Sequence, residues 1–402
     1  MQNSCGHTRG STPEERYEAA TCALFSNGTC RSCSLLGIDR GERLAAKLSR
    51  IATLLAGCGM PLPEVEPIVI PENPWGSRRK VKMTVSGTVE SPVIGITRAD
   101  QSCVELARCP LSPDPIRSLL ETLRSLITKA HLTPYDIQGR RGELKAIIIM
   151  SDQSLSAGIV RFVLRSSEAI PRIRKITSEL QDEHGWVKVV SCNIQPLPAA
   201  ILEGREEILL TKTACITAHY GALPLTLSPR SFMQVTPEIG GALYDRAALW
   251  CRGRNLGSVL DLFCGVGGFS MALAPHARAV TGVEISSDAV GNAQKTAQIL
   301  GLTQVKFVSG DVDSILGSLG AARFETIVVN PPRRGLSGSI RTWVVNQCPA
   351  AILYSSCNPE TFARDVADWS KDYSMERLAL FDMFPLTEHC EVLGFLKRKE
   401  TA

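Results

Sequence analysis

The segment Asp261-Leu-Phe-Cys-Gly-Val-Gly-Gly268 constrains this chain more than any other. It joins an apolar run, Ser258–Phe263, to a stretch of helical periodicity. Its glycines at 265, 267 and 268 permit a tight turn and close backbone approach by a ligand. From about residue 255 the chain then alternates. Strand patterns at Ala279–Ile285, Val305–Val308, Thr326–Asn330 and Ala351–Ser355 are interleaved with helical patterns, among them Ala289–Leu300 and the stretch from Pro359. This predicts a doubly wound α/β domain with ligands beyond the carboxyl ends of its strands.

Glu284 ends the second of these strands, 19 residues after Gly265, where an acid binds a ribose diol. A dinucleotide fingerprint needs a third glycine where Ser270 stands, so no pyrophosphate site is completed. S-adenosylmethionine, with one ribose and no phosphate, fits better. A Gly-rich turn alone is weak; its register with Glu284 is what separates it from a plain strand–helix junction.

The rest of the chain is organised differently. Residues 1–21 read as a polar tail. Residues 22–66 hold a cysteine-bearing loop region and a helix over Arg40–Leu55, and Pro61–Pro74 reads as a linker. Residues 67–210 carry strand patterns at Val81–Val85, Ala146–Met150 and Ile159–Leu164, with helices at Arg117–Ala130 and Ile170–His184. Strict βαβ alternation is missing there, which predicts an α+β central domain before an α/β catalytic domain over 211–402.

Composition excludes several classes. With 44% hydrophobic and 21% charged residues the chain is globular, and no uncharged apolar run approaches the ~18 residues that span a bilayer. No apolar segment follows Met1, so a signal peptide is not expected. Fourteen cysteines in 402 residues are too sparse for a disulfide scaffold, which points to a reducing, cytoplasmic setting. The net charge is +4, and residues 68–150 alone hold 12 Lys/Arg against 8 Asp/Glu, 12 − 8 = +4. Arg78-Arg79-Lys80-x-Lys82 and Arg140-Arg141-x-x-x-Lys145, near Trp75 and Tyr135, suit phosphate contact and base stacking. The plainer reading is a solvated face.

Two more strand ends carry chemistry. Asn330-Pro-Pro-Arg-Arg-Gly335 removes two backbone donors and leaves the Asn330 amide to face a ligand. Ser355-Ser-Cys357-Asn-Pro359 puts Cys357 between a strand and a helix N-terminus, where the helix dipole favours a thiolate nucleophile. A buried inert cysteine is the alternative. In Asp382-Met-Phe-Pro-Leu-Thr-Glu-His-Cys-Glu391 a carboxylate beside Phe384, Val392 and Leu393 is suited to act as a general base, or else is a solvated loop acid. Cys22, Cys30 and Cys33 follow C-x7-C-x2-C, with Cys103 and Cys109 far downstream. Four thiolates suit zinc or an iron–sulfur cluster, and spacing does not choose between them.

Taken together these segments resemble the RNA 5-methyluridine methyltransferase family. The resemblance runs from Cys22 almost to the C-terminus. It includes Lys82-Met with Val85-Ser-Gly87, Arg141-Gly-Glu-Leu-Lys145, Arg161-Phe-Val-Leu-Arg-Ser166 and Asn193-Ile-Gln-Pro196, besides the motifs above. It implies a Rossmann-like, S-adenosylmethionine-dependent fold and methylation of carbon 5 of a uridine in 23S rRNA. Cys357 would add to carbon 6 of the uracil, and Glu391 would remove the carbon 5 proton. Gln234 in Ser231-Phe-Met-Gln-Val-Thr-Pro237, Phe263, Glu284 and Asn330 would hold the cofactor, with Asp311 a looser candidate. Cys22, Cys30, Cys33 and Cys109 would bind a 4Fe-4S cluster, leaving Cys103 without a role.

One position departs from the family. Where relatives often carry His after Phe-Pro, this chain has Leu386, although His389 and Glu391 keep the H-x-E spacing. Some relatives carry a β-barrel RNA-binding domain before the first cluster cysteine, which the 21 residues before Cys22 do not accommodate. No protein partner and no membrane is implied. The rival readings are the same chemistry on tRNA or another rRNA uridine, an amino-methyltransferase using Asn330 with Cys357 idle, and a non-catalytic, cluster-bearing RNA binder.

Overall fold

The structure, a computed structural model, describes residues 22–98, 102–198, 203–318 and 322–400, so the expected polar tail lies outside the described residues. After a single turn α1 (Ala23–Ser26), helix α2 (Arg40–Gly57) begins at Asp39, whose carboxylate accepts the Glu42 N–H at 2.9 Å. Ile51 and Leu55 of this helix are fully buried, and they pack on the distant C-terminal sheet described below.

The central region forms one seven-stranded sheet from β1 (Lys80–Gly87), β2 (Pro92–Thr97), β3 (Cys103–Glu105), β4 (Leu144–Ser151), β5 (Gly158–Leu164), β6 (Val187–Ile194) and β7 (Glu206–Leu209). Their order is β3-β2-β1-β4-β5-β6-β7, antiparallel except for the β5–β6 pair. Helices α3 (Asp114–Lys129) and α4 (Ile170–Glu183) cover one face, where Leu119, Leu123, Ile173 and Leu180 meet Ile147, Val160 and Phe162. The hairpin β8 (Ile216–Tyr220) and β9 (Leu223–Leu227) leads to α5 (Pro237–Cys251).

The C-terminal region alternates as its sequence pattern requires: β10 (Ser258–Leu262), α6 (Gly268–Leu273), β11 (Ala279–Glu284), α7 (Ser287–Ile299), β12 (Val305–Ser309), α8 (Val312–Ser318), β13 (Thr326–Val329), α9 (Gly338–Gln347), β14 (Ala351–Ser356) and α10 (Pro359–Ala367). Two further strands, β15 (Tyr373–Phe381) and β16 (Glu391–Arg398), complete a sheet of order β12-β11-β10-β13-β14-β16-β15. Its first five strands are parallel, and β16 inserts antiparallel between β14 and β15. Both faces are covered, so its central strands β13 and β14 are buried along their length. Val259, Val328 and Leu353 face α5, α6 and α7, while Leu260, Ile327 and Ile352 face α2, α8, α9 and α10.

Two expectations need correction. The stretch Pro61–Pro74 is not a free linker: Val65 and Val69 bridge in parallel to Leu378 and Phe381 along β15, and Glu66 Oε1 accepts the Trp250 indole N–H at 2.6 Å. The strap thereby covers an otherwise open sheet edge. The central and C-terminal regions also share a core, since Met150, Ile159 and Val189 pack in the same apolar cluster as Ile216, Leu243 and Val259. Among the described residues no helix is long and apolar enough to cross a membrane.

Candidate active site

The carboxyl ends of β11, β10, β13 and β14 lie side by side, and β16 starts next to the last of them. Strand order therefore brings the candidate residues to one rim. At the end of β10 the chain turns sharply. Phe263 takes φ +62°, a left-handed conformation rare for a bulky residue, and Gly265 and Gly267 follow at +55° and +85°. The Cys264 N–H bonds Val283 O at 3.0 Å, and the Gly265 N–H donates to Glu284 Oε2 at 3.1 Å. The other Glu284 oxygen accepts Ser286 N–H at 2.9 Å. The acid expected to hold a ribose is thus locked onto the glycine turn.

Behind the turn Asp261 is fully buried and accepts the Ser270 hydroxyl at 2.6 Å through Oδ2, while Oδ1 has no partner. Burial pushes its carboxyl up to about 7. Gly268 must be glycine, because a Cβ there would stand 2.2 Å from the Tyr244 ring. Tyr244 packs edge-on against Phe269 with ring centroids 5.1 Å apart.

Asn330 leaves β13 with its N–H on Leu262 O and its amide Nδ2 donating to Glu391 Oε1 at 3.2 Å. The same oxygen accepts the Ser355 hydroxyl at 2.5 Å. Glu391 is 5% exposed, and burial pushes its carboxyl up to about 7, with the two hydrogen bonds opposing. The β14–β16 register pairs Ser356 with Val392, so Cys357 and Glu391 sit together at one end of the strand pair. Cys357 is half-buried.

The expected depression of the Cys357 pKa is overturned: it is raised, first by burial and then by the negative charge of Glu391. The helix beyond offers it little. Pro359 has no N–H, the Glu360 N–H is taken by Asn358 Oδ1 at 3.1 Å, and the Asn358 N–H by Ser356 Oγ at 3.2 Å. Opposing the rise is the positive charge of Arg333, which favours the thiolate. Sequence reading missed Arg333, because only its placement beside the thiol gives it a role. The Arg333 carbonyl accepts the Asn358 amide at 2.9 Å, which binds the two strand ends together.

Gln234 lies half-buried in the segment Ser231–Thr236. That segment is held by Asn292 Nδ2 on Ser231 Oγ at 3.0 Å and by Thr236 Oγ1 on Met383 O at 3.2 Å. Phe232, also missed from sequence, is 64% exposed, with the Lys80 ammonium 5.6 Å from its ring centre. Asp311 accepts the Ser314 N–H at 3.2 Å at the start of α8, a helix-capping role.

The four cysteines converge although Cys109 is remote in sequence. Cys22, Cys30, Cys33 and Cys109 line one cavity of about 80 Å³ together with Trp75 and Arg78. Cys103 is elsewhere, 3.9 Å from Thr84 Oγ1. Among the described residues no three His, Cys, Asp or Glu side chains converge tightly enough to hold a single metal ion. Among the described residues the donor set is nonetheless all thiol, with no carboxylate or imidazole lining the cavity. Such soft donors suit zinc or an iron–sulfur cluster. Without a metal, burial and the neighbouring Cys109 push Cys33 up to about 12.

The basic run 78–82 is divided by the fold. Arg78 lines the cysteine cavity, Arg79 is buried and donates to Gln153 O at 3.2 Å, and Lys82 pairs with Glu203 at 2.5 Å. Trp75 likewise faces the cysteines. Lys145 lies 4.5 Å from the Tyr135 ring centre, beside the exposed Arg140 and Arg141.

The glycine turn, the acid at the next strand end and the parallel sheet define a Rossmann-like methyltransferase fold. A tRNA (uracil-54, C5)-methyltransferase from Pyrococcus abyssi, solved with S-adenosyl-L-homocysteine, shares it with a TM-score of 0.74 at 22% identity over 90% of this chain and 85% of that one. Residues 228–399 match the family model described as tRNA (Uracil-5-)-methyltransferase. Similarity also extends over nearly whole chains. Proteins named 23S rRNA (uracil(747)-C(5))-methyltransferase RlmC are 39% identical in Pectobacterium carotovorum and 40% in Shewanella loihica, each covering 94% of this chain and 99% of that protein. The Escherichia coli protein of that name is 39% identical over 94% of this chain and all of its own. The chain belongs to the RNA uracil-C5 methyltransferase family.

Proposed function

We propose that this protein methylates carbon 5 of a specific uridine in 23S rRNA, of the uracil-747 type, in the cytoplasm. The observation that carries the mechanism is the meeting of Cys357, Arg333, Glu391 and Asn330 at adjoining strand ends. The names of the relatives that match 94% of the chain support the substrate.

Cys357 Sγ, as the thiolate favoured by Arg333, adds to carbon 6 of the uracil and moves the ring electrons onto the carbon 5–carbon 4–oxygen 4 enolate. S-adenosylmethionine, when bound, would supply the electrophilic methyl group to carbon 5, its S–CH3 bond breaking to leave S-adenosylhomocysteine. Gln234, Phe263, Glu284 and Asn330 are suited to hold it against the glycine turn. Glu391, ionised, then removes the carbon 5 proton, and the returning electron pair expels Cys357. A carboxyl poised near 7 can accept this proton and release it again. Asn330 and Ser355 fix the accepting carboxylate. The target base must leave its stack to reach Cys357, and the exposed ring of Phe232 with Lys80 beside it offers a stacking surface.

Cys22, Cys30, Cys33 and Cys109 are the residues that would hold a 4Fe-4S cluster, which would join α1, the following loop and the β3–α3 connection. Iron and labile sulfide in anaerobically purified protein test this assignment, and zinc alone would refute it.

The function is tested by mapping 5-methyluridine in RNA from a strain lacking the gene, with and without complementation. Loss and return of one 23S rRNA position is expected. A change confined to tRNA would move the substrate to tRNA, and an unchanged map would reject the methyltransferase reading. Full activity of Cys357→Ala would reject the covalent mechanism.

A further inference from the structure

The cysteine cavity adjoins the segments that lead to Gln234 and to Glu391. A void of about 10 Å³ lies between them, bounded by Cys33, Arg78 and Leu111 on one side and by Val235, Met383 and Leu386 on the other. Cys33, Arg78 and Leu111 also line the cysteine cavity itself. Val235 follows Gln234 directly, and its carbonyl accepts the Arg79 N–H at 2.8 Å. Met383 and Leu386 belong to the β15–β16 loop, which ends at Glu391.

Leu386 is the plug between the two. It is 1% exposed and packs in one apolar cluster with Cys22, Leu36 and Leu111, against which Cys33 and Cys109 also rest. Its carbonyl accepts the Leu35 N–H at 3.1 Å, two residues beyond Cys33. Further ties of this loop are Lys47 on Asp382 Oδ1 at 2.7 Å and on Phe384 O at 3.3 Å, Arg50 on Glu388 O at 3.4 Å, the Asp382 N–H on Val69 O at 2.7 Å, and the Thr236 hydroxyl on Met383 O at 3.2 Å. The segment leading to the base is therefore pinned to α2, to the cofactor segment and, through Leu386, to the cysteine loop. Close-packed walls transmit displacement rather than absorb it.

We infer that Leu386 is a positioning residue that couples the four-cysteine pocket to Glu391, so that the filled pocket holds both the base and the Gln234 segment in register. This rests on reading the four cysteines as ligands of one inorganic group. Leu386 serves here as an apolar contact beside that pocket.

The test uses the full chain, purified anaerobically, with three readouts: iron content, hydrogen–deuterium exchange of segments 231–237 and 382–391, and the kcat and KM of methyl transfer. Removal of the iron with a chelator is expected to speed exchange in both segments by about tenfold or more. Leu386→Ala is expected to do the same with iron content unchanged. It should lower kcat by roughly ten- to a hundredfold, the cost of a slightly misplaced catalytic group, and Leu386→Met should restore it. Unaltered exchange at 382–391 in both iron-depleted protein and Leu386→Ala would overturn the coupling. A chain that binds neither iron nor zinc would refute the cluster reading instead. The Leu386→Ala exchange, measured on that metal-free chain, would then decide the positioning role by itself.

Discussion

Asn330 Nδ2 stands 3.2 Å from Glu391 Oε1, an oxygen that also accepts the Ser355 hydroxyl. One side chain at the cofactor rim thus touches the carboxylate expected to act as base. The contact joins β13 to β16 across the end of β14, where Cys357 waits.

The first prediction concerns pH. Glu391 titrates near 4.5 in an ordinary setting and near 7 when buried here. Its proton is bound more tightly in the fold, so it favours folding fully below about pH 4.5, and this contribution is lost as pH rises through 7. The difference corresponds to about 3 kcal/mol. Glu391→Gln should therefore raise Tm at pH 8 and have little effect at pH 4. As a base, Glu391 works only when ionised, so kcat should fall as pH drops through neutrality. Glu391→Gln should also accumulate a methylated protein–RNA adduct, visible on a denaturing gel and absent when Cys357 is replaced by Ala.

Arg333 offers a second test. Its guanidinium opposes the burial and the Glu391 charge that raise the Cys357 pKa. Arg333→Met should slow alkylation of Cys357 by iodoacetamide at pH 8. It should also slow methyl transfer, by roughly tenfold for each unit by which the thiol's pKa rises. Alkylation at the wild-type rate would remove Arg333 from this role.

Phe232 is an exposed aromatic with no packing duty of its own. Phe232→Ala should change stability by no more than ~0.5 kcal/mol. It should raise the KM for RNA by roughly five- to a hundredfold, because one stacked base contributes about 1–3 kcal/mol. An unchanged KM would place the target base elsewhere.

Lys47 and Asp382 form an ion pair 2.7 Å apart, each 2% exposed. Burial still raises the Asp382 pKa despite its partner. Lys47→Met strands a buried charge and should cost about 3–5 kcal/mol, whereas Lys47→Met with Asp382→Leu should recover most of it. Urea denaturation measures both.

Local patterns made much of the C-terminal region legible. The turn at Gly265 and Gly267 is written in residues that tolerate positive φ, and the parallel strands between β10 and β14 in short apolar runs. The later strands were not legible, because β15 and β16 each join a polar, partly exposed end to a continuous buried run and so keep no single period. The basic run at 78–82 looked like one surface patch, yet Arg79 turns inward to backbone carbonyls and Arg78 turns to the cysteines. Nothing in a run of like charges states which member will be buried.

The sequence by itself determined the fold class and the glycine turn, and it singled out Cys357, Glu391 and the four cysteines as candidates, since each depends on short-range spacing or on collinear resemblance. Only the tertiary structure decided what surrounds them. The pairing of β14 with β16 brings Glu391 beside Cys357, and that neighbour together with burial reverses the expected direction of the thiol's pKa. Packing alone sets Leu386 against Cys22 and Leu111, beside the cysteine pocket. Charge and burial act through space, and a pKa is set by what the fold brings within reach rather than by what adjoins it in the chain.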